Sequence, residues 1–222
     1  MIKKFTIYGE RCSGTSYIEK LIIKNFNVEL TWDYGWKHFF GFQDEKLKNS
    51  DDVLFVCIVR NLPDWINSFY RTLHHVPHIS KKTSDDEKIN ELLNEEFYST
   101  VGKNEIMEDR NIYTGERYKN IYELRHTKIK WMIEDLPNKV KNYIFIRHED
   151  LINNYDEILL KIKDKGLDVK KDINFPSNIN LYVKSGPKKN YIKKDNELSN
   201  EFIYSSPNLI PFYEDMIYNK EK

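Results

Sequence analysis

The feature that most constrains the fold is an apolar segment joined to a helix through a glycine-bounded turn. Residues 5–26 read FTIY, GERCSGTS and YIEKLIIKNF in succession. In the last segment Ile18, Leu21 and Ile22 recur at the spacing of one buried helix face, which predicts a helix over 15–26. A short buried strand, a glycine turn and a helix in this order form the repeating unit of parallel α/β sheets.

Two further apolar segments repeat this arrangement. Residues 53–59 read VLFVCIV and residues 142–147 read NYIFIR, and each precedes a predicted helix. The first of these helices has Asn61 as its N-cap and Pro63 in its first turn, and the second ends near Gly166. Three such units predict a three-layer α/β/α fold around a central, mostly parallel sheet.

The rest of the chain predicts helices without strands. A helix begins at Ser84, with Glu87 at capping-box spacing, and another runs over 121–136, ending before a proline. Strand signals are lacking in 72–120, which we interpret as a helical lid over the binding edge of the sheet. Because no low-complexity linker divides the chain, 1–222 is predicted to be a single domain.

Composition excludes some classes of function. Lysine plus arginine and aspartate plus glutamate each total 35, so the basic excess of a nucleic-acid-binding protein is lacking. The longest apolar stretch, 53–59, has the length of a strand and not of a membrane span, and the N-terminus is a poor signal peptide. Cys12 and Cys57 form no disulfide framework. We therefore expect a cytoplasmic protein, of an oligomeric state that these patterns leave open.

The turn at 9–16 has the spacing of a phosphate-binding P-loop, which predicts a P-loop NTPase-like fold. Thr15 occupies the position of the lysine that reaches the β- and γ-phosphates of a nucleoside triphosphate. Backbone N–H groups at a helix N-terminus attract an anion without that lysine, and Ser13 and Ser16 add hydroxyl groups. The turn therefore suits a terminal phosphate monoester or a 5′-phosphate; alternatively, it is a strand–helix turn that merely needs glycine.

A second anion site is predicted after the strand at 53–59. Arg60 ends that strand, and Ser68 lies eight residues further along the following helix. A bend at Pro63 would let the guanidinium and the hydroxyl converge on one anion, a combination that clamps phosphate well.

These two segments, in this order, resemble the sulfotransferases that use 3′-phosphoadenosine 5′-phosphosulfate (PAPS). CSGTSY at 12–17 is similar to the lysine-free turn that holds the 5′-phosphosulfate in that family, and RNLPDWINS at 60–68 is similar to the segment that holds the 3′-phosphate. The resemblance implies that Tyr17 stacks on adenine. It also implies that the chain is an enzyme that moves a sulfuryl group from PAPS to a hydroxyl or amine, without a metal.

Two later segments extend the resemblance. VKSGPKKNY at 183–191 is similar to the family's late segment that closes over the 3′-phosphate, with Tyr191 where tryptophan is common. IFIRHEDL at 144–151 is similar to a strand that ends in Tyr-Glu-Asp-Leu, with His148 in place of the tyrosine. The residues implied to bind the donor are Arg11, Cys12, Ser13, Gly14, Thr15, Ser16, Tyr17, Arg60, Ser68, His148, Lys184, Ser185 and Gly186.

The general base is predicted to be His38. It lies between the two phosphate segments, in the region where cytosolic sulfotransferases carry a Lys-x-His sequence, and a histidine can accept a proton from a hydroxyl near neutral pH. The alternative is a partly buried histidine packed among aromatic side chains. Asp33 and Glu10 are the reserve candidates, because glycan and tyrosine sulfotransferases commonly use a carboxylate.

Stabilisation of the leaving phosphate is assigned to Arg11. Many members of the family have a basic residue where this chain has Cys12, and the arginine stands one position earlier. A long guanidinium can make up that offset. Lys37 is the alternative cation for this role.

The acceptor region is harder to predict. Three histidines fall within 74–78, and without a nearby cysteine they suit an acceptor pocket better than a metal site. Tyr113, Tyr118 and Tyr122 suit a polyhydroxylated acceptor such as a glycan, or they pack a helical lid.

Two other functions stay open. One is a nucleotide or small-molecule kinase, against which Thr15 and the lack of an obvious strand-end aspartate for magnesium beyond Asp150 both argue. The other is a catalytically silent module that keeps the nucleotide pocket, an interpretation that Cys12 motivates.

Overall fold

The computed structural model describes residues 1–179 and 197–218, and Lys184, Ser185, Gly186 and Tyr191 lie outside this part. Its strands are β1 (Lys4–Tyr8), β2 (Glu29–Leu30), β3 (Val53–Val59), β4 (Thr100–Val101), β5 (Asn104–Glu105) and β6 (Asn142–Arg147). Four of them form one parallel sheet in the order β2-β1-β3-β6, while β4 and β5 pair with each other in an antiparallel arrangement.

Helices surround this sheet. They are α1 (Thr15–Asn25), α2 (Asp44–Leu47), α3 (Leu62–Thr72), α4 (Pro77–Ser80), α5 (Asp85–Asn94), α6 (Ile121–Lys130), α7 (His148–Asn153), α8 (Tyr155–Asp164), α9 (Asn200–Tyr204) and α10 (Phe212–Tyr218). A π-helical turn (Trp131–Asp135) and a 3-10 turn (Leu136–Asn138) follow α6, and another 3-10 turn spans Met107–Asp109.

The sheet is buried on both faces, as its sequence predicts. Every residue of β3 is buried, which is typical of the central strand of a parallel sheet. On one face, the apolar sides of α1 and α8 pack against alternate strand residues such as Phe5 and Val56. On the other face, Tyr8 and Phe55 pack against aromatic residues that include Trp131. These two cores confirm a mixed α/β fold with a layer on each face of the sheet.

The sequence analysis missed two small elements. β2 is an edge strand of two residues, too short for any period to show. The prediction that 72–120 contains no strand is wrong, because β4 and β5 form a small hairpin. The remainder of this segment packs Val76, Leu92 and Phe97 against α3 and α6 in a third core.

The helix predicted over 121–136 is not continuous. α6 ends at Lys130, and the chain continues through the π-helical turn into a 3-10 turn that contains Pro137. Proline fits the first positions of such a turn, where its missing N–H has no partner to lose. The helix predicted to end near Gly166 is likewise two helices, α7 and α8, divided at Asn154.

Within the described residues, no helix combines the length and the apolar character that crossing a membrane demands.

Both predicted helix caps are present. The Asn61 side chain accepts from the backbone N–H of Asp64 at 3.0 Å, and its amide donates to Glu149 Oε1 at 2.8 Å. Ser84 caps α5 and forms a reciprocal capping box with Glu87. Asn61 therefore joins the start of α3 to α7, whereas Ser84 serves only its own helix.

We expect Asn61→Ala to lower the free energy of unfolding by about 2 kcal/mol, because a cap and a contact to a carboxylate are lost together. The matched variant Ser84→Ala removes a cap alone and is expected to cost about 1 kcal/mol. Urea denaturation of the two variants measures the difference. Equal losses would show that the link between Asn61 and Glu149 contributes nothing.

Candidate active site

The carboxyl ends of three neighbouring strands meet at a glycine turn. Gly9 follows β1 so closely against β3 that a Cβ at this position would lie 2.5 Å from the Ile58 carbonyl oxygen. Gly14 has a φ of +91°, and a Cβ there would lie 2.5 Å from Cδ2 of His148, which follows β6. Glycine is required at both positions because a side chain would push the turn away from the strand ends.

The turn leads into α1 with its helical N–H groups uncapped. Gly14 occupies the N-cap position, where it has no side chain to accept from them, and the first turn of α1 carries no acidic residue. The first N–H groups of a helix have no partner within the helix, and the helix dipole makes this end positive. The start of α1 therefore offers backbone donors and a positive potential to an anion.

The side chain of Arg60 and the main chain of Ser68 both contact Cys12 of this turn. The Arg60 guanidinium lies 3.4 Å from the carbonyl oxygen of Cys12 and 4.0 Å from the Asp64 carboxylate. The thiol of Cys12 lies 3.7 Å from the main-chain carbonyl of Ser68. α3 therefore runs alongside the turn. The Arg60 side chain, which lies between β3 and α3, is 16% exposed and borders the turn without being sealed off from solvent.

Lys37 supplies a cation on the other side of the turn. Its ammonium lies 3.0 Å from Ser16 Oγ and 3.3 Å from the Glu19 carboxylate, both in α1. A lysine from a separate segment thus places its charge beside the helix start, although Thr15 provides none. Lys37 contacts the start of α1, and Arg60 contacts the preceding turn.

His38 is held by the same turn. Its Nδ1 lies 2.7 Å from the carbonyl oxygen of Gly9, so the neutral ring donates from Nδ1 and keeps the lone pair on Nε2. Burial lowers the pKa of His38 to about 3, and the nearby charges of Arg11, Lys37 and Lys128 act in the same direction. At neutral pH the ring is therefore an uncharged proton acceptor.

The guanidinium of Arg11 occupies a different place from the one predicted. It is 2% exposed and contacts Asp109 at 3.0 Å, Glu10 at 3.5 Å and Ser99 Oγ at 2.6 Å. Arg11 is thus turned into the protein, and its charge is balanced there by carboxylates. Arg11 therefore differs from the expected position, since carboxylates engage its guanidinium where it borders the cavity, whereas the Lys37 ammonium lies beside the start of α1.

Glu10 and Asp33 are also unsuited to the role of base. Glu10 is buried and forms an ion pair of 2.6 Å with Lys128, so its carboxylate is already engaged. Asp33 is exposed and lies 3.8 Å from Lys4, which is at the opposite end of β1 from the turn. Neither carboxylate replaces His38 at this site.

Glu10, Arg11, Asp109 and Lys128 form one buried cluster of two anions and two cations. Lys128 bonds to the Asp109 carboxylate and donates to the carbonyl oxygen of His38 at 2.7 Å. Burial alone would favour the neutral acid, but the charges of Arg11 and Lys128 hold the pKa of Asp109 below its usual value. The sequence contained no signal for this cluster, because its members lie in three separate segments.

A cavity of about 370 Å³ opens beside the turn. Its lining consists of Arg11, Cys12, Gly14, Thr15, Ser16, Tyr17, Trp36, His38, His74 and His75. Trp36, with 43% of its surface exposed, was not predicted as a site residue. His74 and His75 agree with the expectation that the segment at 74–78 borders a pocket, whereas His78 stacks on Tyr98 with a centroid separation of 4.3 Å.

Other predicted site residues have well-defined surroundings. Tyr17 is largely buried, and its hydroxyl donates to Asn178 at 2.9 Å, so adenine stacking would use the part of the ring that borders the cavity. Burial and the charge of Arg60 lower the pKa of His148, which keeps that ring neutral where it packs on Gly14. Among the residues that the structure describes, no three metal-ligating side chains cluster to hold an ion.

The tyrosines considered for the acceptor are mainly core residues. Tyr118 and Tyr122 are 0% and 2% exposed and pack in the core between α3 and α6. Tyr113 is exposed, and its hydroxyl bonds to Asp135. These positions favour the interpretation that the tyrosines pack the segment, and they remove the basis for preferring a glycan.

Neither a scan of the chain against models of known protein families nor a search among curated proteins finds a match.

We expect Lys128→Met to lower the free energy of unfolding by at least about 3 kcal/mol, because two buried carboxylates would then face a single cation. Lys130→Met, the same change on a partly exposed lysine two positions further on, is expected to cost less than about 1 kcal/mol. Denaturant titration measures both values.

The decrease in the free energy of unfolding that Lys128→Met causes should depend on pH. The pKa of Asp109 is lower in the folded protein than in the unfolded chain. The ionised carboxylate therefore contributes to stability at pH values above its ordinary pKa, and this contribution is lost as the pH falls through the pKa of the folded protein. The difference from the wild type should therefore be largest near neutral pH and shrink on acidification. A pH-independent difference would contradict the charge assignment.

Proposed function

We propose that this chain is a PAPS-dependent sulfotransferase with a lysine-free, P-loop-like donor site. One observation carries the proposal: the guanidinium of Arg60 lies 3.4 Å from the Cys12 carbonyl of the glycine turn. The two segments that resemble the family's phosphate-binding motifs are therefore in contact. Binding of a nucleotide with phosphates at both its 5′ and 3′ positions requires them to be close together.

The residues at the turn suit the two ends of such a donor. The uncapped start of α1, with the hydroxyls of Ser13 and Ser16, would hold the 5′-phosphosulfate. Arg60 and Ser68 would hold the 3′-phosphate, because a guanidinium and a hydroxyl together satisfy several phosphate oxygens. Lys37, whose ammonium is 3.0 Å from Ser16 Oγ, would neutralise the bridging and terminal oxygens of the 5′-phosphate.

The reaction is an in-line displacement at sulfur. An acceptor hydroxyl oxygen forms a bond to sulfur while the bond from sulfur to the phosphate oxygen breaks, and the electron pair of that bond leaves with the phosphate. Nε2 of His38 accepts the hydroxyl proton, and the charge of Lys37 stabilises the leaving phosphate. As in phosphoryl transfer, placement and electrostatic stabilisation supply most of the rate enhancement.

In the protein without donor, the low pKa makes His38 a weak base. A base whose pKa is about 3 holds a transferred proton weakly. A bound donor brings several negative charges to within a few ångströms of the ring, and opposite charge stabilises the imidazolium. Donor binding would therefore raise the pKa of His38 and prepare it to take the proton.

A catalytically silent binding module is the second candidate, and the position of Arg11 favours it. The cation closest in sequence to Cys12 is buried against Asp109 and Glu10, so the leaving group would depend on Lys37, which lies beside the start of α1. The kinase alternative receives no such support, because Asp150 accepts two hydrogen bonds of 2.8 Å from Arg147.

We expect 3′-phosphoadenosine 5′-phosphate (PAP) to raise the melting temperature more than ATP with magnesium does, because only PAP engages both anion sites. Arg60→Ala should weaken PAP binding about 10- to 100-fold through the loss of charge-assisted contacts. Lys20→Ala removes an exposed charge from the same neighbourhood and should change the affinity by about twofold or less. Thermal shift and calorimetric titration provide the measurements, and stronger stabilisation by ATP would exclude the proposal.

Protonation of His38 tests the assignment of the base. In the protein alone, we expect the ring to stay neutral between pH 8 and pH 5, because burial lowers its pKa to about 3. Saturation with PAP should move its titration midpoint upward, since the phosphates favour the charged ring. Nuclear magnetic resonance of protein with ¹⁵N-labelled histidine rings follows both transitions, and an unchanged midpoint would contradict the placement of the anion beside His38.

His38→Asn is the matched variant. Its side-chain amide can still donate to the Gly9 carbonyl oxygen but cannot accept a proton. PAP affinity should persist, while transfer of labelled sulfate from PAPS should fall about 10²- to 10⁴-fold. If the wild type binds PAP tightly and transfers no sulfate to any hydroxyl tested, the silent binding module is the correct assignment.

A further inference from the structure

The side chain of Lys128 belongs to a network of contacts around the predicted base, His38. Lys128 lies in α6 and is 0% exposed. Its ammonium donates to the carbonyl oxygen of His38 at 2.7 Å, pairs with Glu10 Oε1 at 2.6 Å and bonds to the Asp109 carboxylate. The contacts to His38 and Asp109 are hydrogen bonds, and the contact to Glu10 is an ion pair.

Gly9 also belongs to this contact network. His38 Nδ1 donates to the carbonyl oxygen of Gly9 at 2.7 Å, and the Gly9 N–H donates to the carbonyl oxygen of Lys37 at 3.0 Å. Gly9 is the chain neighbour of Glu10, so Lys128 reaches both sides of this pairing. On one side it contacts the carboxylate that follows Gly9, and on the other the main chain that carries the His38 ring.

Asp109 connects this contact network, through Arg11, to Ser99 and His74. Its carboxylate also pairs with Arg11 at 3.0 Å, and Arg11 donates to Ser99 Oγ at 2.6 Å and to the carbonyl oxygen of His74 at 3.3 Å. The position of His38 is therefore coupled to that of His74, which borders the same cavity.

We propose that Lys128 is a positioning residue that fixes the main chain of His38, and thereby holds its imidazole as the Nδ1–H tautomer with Nε2 as the acceptor nitrogen. The catalytic meaning of this role rests on the proposed function, because only there is Nε2 the base. The structural claim does not, since it follows from the contacts of Lys128, Gly9 and His38 alone.

A single substitution of Lys128 would not separate a positioning role from a loss of stability, because two buried carboxylates would be left with Arg11 as their partner. The double variant Glu10→Gln/Lys128→Met takes away one charge of each sign and leaves Arg11 paired with Asp109. It keeps the cluster neutral and removes the donor to the His38 carbonyl oxygen. Lys130→Met serves as the control, since it changes a lysine of the same helix that is not part of the contact network.

The first readout is the pair of ring ¹⁵N resonances of His38 in the folded proteins. In the wild type and in Lys130→Met, we expect one protonated and one unprotonated nitrogen, with separate chemical shifts that identify the Nδ1–H form. In the double variant the two shifts should converge as the tautomers exchange. A double variant that is folded and keeps the wild-type shifts would overturn the proposal.

The second readout is turnover, wherever the wild type transfers sulfate. The double variant should lose at least about tenfold in kcat, with KM for PAPS changed by about twofold or less, because the donor contacts stay while the base is misplaced. An unchanged kcat would overturn the catalytic role of Lys128. If the wild type shows no transfer, the proposed function fails, and the ring resonances still decide whether Lys128 positions His38.

A second variant covers the case in which the double variant does not fold. Lys128→Arg keeps the buried charge, but its planar fork pairs with the two carboxylates and moves the donor away from the His38 carbonyl oxygen. The same convergence of the ring resonances is expected. If the tautomer stays fixed in Lys128→Arg, the ammonium is not what positions the ring.

Discussion

The close approach of Gly9 to β3 is the contact on which the site depends. Because Gly9 has no side chain, the chain leaves β1 directly against the Ile58 carbonyl and turns back into α1. The start of α1 then lies between the ends of β3 and β6, beside Arg60 and His148. The central strand is buried throughout, so this edge of the sheet is a rigid base for the polar groups.

Charge around the turn is divided between two kinds of environment. Arg11 and Lys128 are buried with two carboxylates, and each cation is paired with an anion there. Lys37 and Arg60 lie at the turn and the start of α1, where Glu19 and Asp64 are their carboxylate neighbours. Buried balanced clusters cost desolvation energy and rarely add net stability, so a role in fixing neighbouring groups explains this one better than stability does.

Much of the architecture follows from local patterns. The apolar runs at 53–59 and 142–147, the caps Asn61 and Ser84 and the glycine turn predict most of the sheet and the helices that follow its strands, because hydrophobic period and capping act over a few residues. β2 and the β4–β5 hairpin were missed, since strands of two residues have no period. The division of the helix after Lys130 was also missed, because tertiary packing decides where a helix widens.

The sequence by itself determined the glycine turn, the arginine at the strand end and the helix caps, since these are local properties of the chain. Only the tertiary structure decided which cation faces the turn. Arg11 is next to Cys12 in the chain, but Asp109 and Ser99 from a distant segment engage its buried guanidinium, whereas the Lys37 ammonium lies beside Ser16 at the start of α1. Charge pairing acts through space, so it depends on contacts between segments that no linear spacing reveals.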